Sequence, residues 1–230
     1  MHTPNPPRQH LVVLGGPATA TLPPGNWATV TAVDGGGNLL HRLGIAAHRV
    51  IGDGDSITDE AAAFHEQAGA VFDRYPCDKD ETDFELALTR LDSTAADEVH
   101  LVGLVGGRTD MSLGNLFVLG DRTSRGLFTF DLPDGCGGVM GPGSLELTIP
   151  KGTAAALLSL SPLTSGIVSE GVRWPLADGS IGFHEARGVS NLVTRPPWRL
   201  AHRSGTLLWL LGGVSRRDIR LSWRPGINIA

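Results

Sequence analysis

The stretch ATVTAVDGGGNLLHRLGIAAHRVIGDGDS, residues 28–56, decides the fold. Its apolar run Ala28–Val33 ends at Asp34 and three glycines. Asn38–Leu43 then reads as a helix closed by Gly44, and the short run Val50–Ile51 stops at the loop GDGDS, Gly52–Ser56. Strand, glycine loop, helix and second strand in this order describe a unit whose strands run parallel. Leu11–Leu14 before it and His100–Leu104 after it extend the rhythm, so the N-terminal part is expected to be an α/β domain with a mainly parallel sheet. Within GDGDS, Asp53 and Asp55 stand one residue apart. Like charges this close raise each other's pKa unless a cation or open solvent compensates. A bound metal ion is the simplest compensation.

Two more helices follow, over residues 59–68 with Gly69 as terminator and over residues 83–91. In the second, Phe84, Ala87, Leu88 and Leu91 share one face at helical spacing. Thr82 and Glu85 form a capping box, which puts Asp83 in the first turn near the positive end of the helix dipole. A last helix is expected over roughly Ser112–Val118. Beyond Gly120 the texture changes to glycine-rich turns and short alternating runs such as SLELTIP, residues 144–150. That pattern predicts an antiparallel β domain from about residue 122. GCGGVMGPG, residues 135–143, reads as a loop inside it.

The chain has 230 residues, 41% hydrophobic and 19% charged, with a net charge of -5. No cluster of Lys and Arg occurs in the first 120 residues, and the arginines between Arg195 and Arg224 are scattered over strand faces. Nucleic acid is therefore not the expected partner, and a small molecule is. Cys77 and Cys136 show neither metal spacing nor a disulfide framework, which suits a reducing compartment and a cytoplasmic location. MHTPNPPRQH at the start carries no apolar stretch of the secretory kind. The apolar run Leu207–Leu211 is far too short to span a membrane.

P-loop, G-x-S-x-G elbow, paired-histidine zinc motif and CxxC are all absent, and the eight histidines stand singly. Serine hydrolase and zinc chemistry recede. What remains is acidic and glycine-rich, and it falls in loops after the predicted strands. VDGGGN holds Asp34, Gly35 and Gly36, whose backbone amides can approach a ligand closely. GDGDS holds Asp53 and Asp55; CDKDETDFE holds Asp78, Asp80 and Asp83; GGRTD holds Arg108 and Asp110. In an open α/β sheet such loops converge where ligands bind. Oxygen ligands of this kind suit Mg²⁺, and with glycine loops and one arginine they suggest a Mg-nucleotide enzyme.

Together, VDGGGN, HRVIGDGDSI, DKDETDFELAL and GLVGGRTDMSLGNL resemble the corresponding elements of the thiamine pyrophosphokinase (thiamine diphosphokinase) family, as do SGIVSEGVRWPL and RGVSNLV in the C-terminal half. The resemblance runs in order from about residue 11 to residue 212. It implies an α/β Mg-ATP-binding catalytic domain over residues 1–121 and a β-sandwich over residues 122–230 that carries the thiamine pocket and the dimer contacts. The implied reaction moves pyrophosphate from ATP to the thiamine hydroxyl, giving thiamine diphosphate and AMP, in a homodimer with sites between subunits. By motif, Asp53, Asp55 and Asp83 would hold Mg²⁺ with help from Asp34. Arg108 would contact ATP phosphates with Asp80 and Asp110 nearby, and Ser190 and Asn191 would line the thiamine pocket. Gly54 stands where the family commonly has phenylalanine, and Met111 where it often has histidine. Rival readings are a pyrophosphokinase for another alcohol, such as a hydroxymethylpterin, and a non-catalytic nucleotide- or thiamine-binding regulator. Trp174 is read as a buried or interface tryptophan ahead of a ring platform for thiamine.

Overall fold

The computed structural model describes residues 7–17, 22, 25–94, 97–122 and 126–226. Two compact units emerge, one taking the described residues up to Ser93 and from Asp97 to Val118, the other running from Leu119 onward together with Thr94. In the first unit, β1 (Gln9–Val13), β2 (Trp27–Val33), β3 (Arg49–Gly52), β4 (Val71–Arg74) and β5 (Glu98–Val102) lie in the order β5-β1-β2-β3-β4. Every neighbouring pair is parallel. Helices α1 (Gly36–Arg42), α2 (Asp59–Gln67) and α3 (Asp83–Thr89) join these strands, and α4 (Thr109–Gly120) follows β5. Leu11, Val13, Val30, Ala32 and Val50 of the sheet pack with Leu39 and Leu40 of α1 in one apolar cluster. After β4 the chain returns to the far side of β1 to lay down β5, so the strand order reverses at β1. The crevice outside the carboxyl ends of strands at such a reversal is where open α/β sheets bind ligands.

Local chemistry explains the helix boundaries. Thr58 caps α2 by accepting from the Ala61 amide, and Gly69 closes it at φ 86°. Thr82 and Glu85 form the expected reciprocal capping box on α3, and Phe84, Ala87 and Leu88 are its buried face. Helix α1 starts at Gly36, two residues before the expected Asn38. A Cβ at Gly36 would stand 1.9 Å from the Val13 carbonyl oxygen, so only glycine lets the first turn sit against β1. Strand β4 had no counterpart in the sequence reading, because it is a four-residue edge strand without apolar alternation, its Val71 51% exposed.

The second unit is a pair of antiparallel sheets. One is ordered β12-β9-β14-β7-β6, from β6 (Leu127–Leu132), β7 (Gly135–Met140), β9 (Ala154–Ser159), β12 (Asn191–Leu192) and β14 (Leu207–Gly212). The other is ordered β11-β10-β13-β8-β15, from β8 (Gly143–Thr148), β10 (Leu163–Glu170), β11 (Leu176–Gly182), β13 (Trp198–His202) and β15 (Arg220–Pro225). Met140, Leu157 and Trp209 from the first meet Leu145, Leu147, Ile167 and Trp198 from the second in a single core. The architecture is thus an α/β unit with a parallel sheet followed by a β-sandwich.

One expectation fails here. Most of GCGGVMGPG is not loop but the buried strand β7, paired with β6 and β14. Its glycines answer to crowding rather than to turning: a Cβ at Gly138 would lie 2.5 Å from both the Phe128 carbonyl oxygen and the Trp209 ring. Glycine within a strand marks such close approach. Among the described residues, no helix is long and apolar enough to cross a membrane.

Candidate active site

The carboxyl ends of the first unit's strands bring three loops together. Asp34 leaves β2 at φ 42°, is only 8% exposed, and donates its amide to the Ile51 carbonyl at 2.8 Å. Beyond β3, Gly52 sits so near that a Cβ there would be 2.8 Å from the Asp34 Cβ. A side chain at that position would push the Asp53 loop away from Asp34. Asn38 of α1 fastens the same loop, donating to the Ser56 carbonyl at 2.8 Å and accepting from the Thr58 amide at 2.9 Å. Asp83, fixed by the capping box, enters from α3. One carboxylate oxygen from each of Asp34, Asp53 and Asp83 lies within 4.8 Å of the other two.

The electrostatics of this cluster are unbalanced. Burial pushes the Asp34 carboxyl above its usual range, and hydrogen bonds from Ser56 only partly offset that. Asp34 Oδ1 is buried and has no hydrogen-bond partner among the described residues. An orphaned buried acceptor of this kind costs about 1–3 kcal/mol. Asp53 is held below its usual range, first by the Asp55 amide, which donates to Oδ1 at 3.1 Å, and then by the Cys77 thiol and the Lys79 charge. Lys79 brings its ammonium to 3.0 Å from Asp83 Oδ1 and 3.8 Å from Asp53 Oδ2, with its side chain 13% exposed. Burial works against its charge, but the bond to Asp83 together with the Asp83 and Asp53 charges outweighs it and the pKa rises. Three converging carboxylates, with the buried Asp34 Oδ1 left without a hydrogen-bond partner among the described residues, fit a hard divalent cation that takes oxygen ligands.

A cleft of about 510 Å³ opens beside the cluster, lined among others by Gly15, Gly16, Gly35, Asp83, Gly107 and Arg108. Arg108 is exposed and paired with Asp110 at 2.6 Å, which keeps the Asp110 carboxyl below its usual range. Asp55 stands outside the three-carboxylate group: it is exposed, and its Oδ1 accepts from the Ser56 hydroxyl at 2.7 Å. Asp78 and Asp80 are exposed as well, and Gly36 is buried in the first turn of α1. Gly54 takes φ 82°, a conformation that side chains rarely adopt, which accounts for glycine at that position. Lys79, Asn38, Ser56 and the Gly15–Gly16 turn escaped the sequence reading. Two signals pointed to them: LGGP after β1 repeats the strand-then-glycine pattern of VDGG, and Lys79 precedes Asp83 by four residues.

Within the second unit, Ser190 and Asn191 line a cleft of about 340 Å³ with Trp174, Leu176 and Arg187. The Asn191 amide is spent on backbone: Oδ1 accepts from the Trp174 and Leu192 amides at 3.1 and 2.9 Å, and Nδ2 donates to the Trp174 carbonyl at 2.8 Å. Trp174 is not buried but 56% exposed, with the Arg173 guanidinium 4.8 Å from its ring centroid.

Fold and clefts define an α/β unit with an acidic cluster beside a cleft at the carboxyl ends of its strands, followed by a β-sandwich. The family model "Thiamin pyrophosphokinase, catalytic domain" matches residues 25–127. The thiamine pyrophosphokinase of Bacillus subtilis is 29% identical over 185 residues, covering 78% of this chain and 82% of that protein. The crystal structure of thiamine pyrophosphokinase from Bacillus subtilis superposes with a TM-score of 0.70 at 23% identity, covering 89% of this chain and 99% of that one. That of Candida albicans gives 0.66 at 13%, covering 92% and 94%. These two likenesses show a common fold. Residues 25–127 are thus similar to the catalytic domain of the thiamine pyrophosphokinase family.

Proposed function

We propose that the protein is a thiamine diphosphokinase, transferring pyrophosphate from ATP to the thiamine hydroxyl and releasing AMP. The observation that carries this reading is the convergence of Asp34, Asp53 and Asp83 beside a glycine-lined cleft in a chain whose residues 25–127 match this family's catalytic domain. Those three carboxylates would hold Mg²⁺, and Asp55 supports them through the amide it donates to Asp53. When bound, the cation supplies charge stabilisation at the phosphate oxygens. Arg108, freed from Asp110, contacts the ATP phosphates, and Asp80 and Asp110 would assist from nearby. Backbone amides of the Gly15–Gly16 and Gly35–Gly36 turns approach the triphosphate where no side chain intervenes. The thiamine oxygen attacks the β-phosphorus, the bond to the α-phosphate oxygen breaks, AMP leaves with that electron pair, and the hydroxyl proton passes to solvent. Positioning of the two substrates provides much of the acceleration.

The thiamine pocket is assigned to the cleft with Ser190, Asn191 and Trp174, in a sandwich domain that begins near residue 122. A homodimer is supported by exposed apolar side chains on both units: Leu113 and Phe117 one helical turn apart on α4, and Trp174 and Val189 at the thiamine cleft. Both cysteines are free thiols, which supports a cytoplasmic location. The test is AMP release from ATP and Mg²⁺ with and without thiamine, the product identified by mass. Thiamine-dependent AMP with a diphosphorylated product is expected. AMP formed with a hydroxymethylpterin but not with thiamine would overturn the acceptor.

A further inference from the structure

Lys79 plays no part in the scheme above, yet it is the only cation that the described residues place against the acidic cluster. Its ammonium is also anchored from behind, donating to the Pro76 carbonyl at 3.0 Å. A long, flexible cation with its side chain 13% exposed has given up much rotamer freedom to stand there. Charge arithmetic gives the reason. Asp34, Asp53 and Asp83, ionised, carry -3, and Lys79 brings the cluster to -2, the charge that one divalent ion neutralises.

We propose that Lys79 is the built-in counter-ion of the acidic site, tempering its hold on divalent cations and biasing it against ions of higher charge. This rests on the reading of Asp34, Asp53 and Asp83 as a cation site. Without the lysine, all three carboxylates repel one another unscreened and bind any cation more tightly. With it, an arriving ion meets like charge about one ammonium's reach away. Coulomb repulsion scales with the charge of the incoming ion, so the lysine penalises a trivalent ion half as much again, in logarithmic terms, as a divalent one.

The test is a titration of the whole protein with Mn²⁺ alone and with Tb³⁺ alone, in the absence of nucleotide and thiamine. Lys79→Met is expected to bind Mn²⁺ on the order of tenfold more tightly and Tb³⁺ about thirtyfold more tightly than the parent. Lys79→Arg, which keeps the charge, is expected to stay within about threefold of it. Should Lys79→Met fold poorly, Lys79→Gln removes the charge while retaining a donor for Pro76. Affinities that are unchanged, weakened, or raised equally for both ions overturn the counter-ion role. A separate arm uses Asp34→Asn: if it binds Mn²⁺ as well as the parent, or if the parent binds none, the cation site itself falls and the counter-ion role with it.

Discussion

Asp34→Asn isolates charge at the centre of the site. Asparagine has the same shape and accepts the left-handed backbone that Asp34 adopts at φ 42°, so the fold has no reason to move. In metal-free protein the aspartate carries a buried charge whose Oδ1 has no partner among the described residues, with the Asp53 and Asp55 charges adding repulsion. Removing that charge is expected to stabilise the metal-free protein by about 1–3 kcal/mol. At about 2–4 °C per kcal/mol for chains of this size, the melting temperature in EDTA at pH 8 rises by at least about 2 °C. Saturating Mn²⁺ reverses the order. The parent gains about 2.7 kcal/mol when the ion stands at about 100 times its Kd, and the variant, deprived of a ligand, gains little. Two thermal melts, with EDTA and with Mn²⁺, decide the matter. A variant less stable than the parent in EDTA, or stabilised by Mn²⁺ as strongly as the parent, refutes the reasoning.

Three further outcomes are expected. Gly138→Ala places a methyl 2.5 Å from the Phe128 carbonyl and the Trp209 ring, and loses about 3 kcal/mol or more in urea unfolding; a loss under about 1 kcal/mol contradicts the crowding. Asn191→Ala frees the Trp174 backbone and is expected to raise the thiamine KM about tenfold while kcat stays within about threefold, a steady-state split that a direct catalytic role would not give. Burial lowers the pKa of His10 and of His202 below the ordinary histidine value, so each ring folds as the neutral form. The stability this contributes is full above about pH 6.5 and is lost as the pH falls through the folded pKa. Urea midpoints between pH 7.5 and 5 should therefore fall, and fall less in His202→Asn; parallel curves for parent and variant speak against it.

The features legible in the sequence are those governed by neighbours a few residues apart. The capping box of Thr82 and Glu85, the closing turns at Gly44 and Gly69, and the buried face of α3 each depend on one helical turn, and each stands as read. The parallel sheet and the later antiparallel strands follow from run lengths and alternation in the same way. Glycine is ambiguous at this range. It reads as a turn in GCGGVM because nothing nearby reveals that Phe128 and Trp209, ten residues before and 71 after Gly138, press on the strand. Tertiary structure likewise selected the acidic partners. Asp53 and Asp55 are equivalent in GDGDS, yet the loop tied down by Asn38 brings Asp53 to Asp34 and Asp83 and leaves Asp55 in solvent. Lys79 belongs to the same category, since one cation among the five acidic residues of CDKDETDFE looks like a solvated face until strand order folds it inward. Local propensities act through adjacent backbone and side chains, whereas the convergence of β2, β3 and α3 depends on strand order that no short window contains.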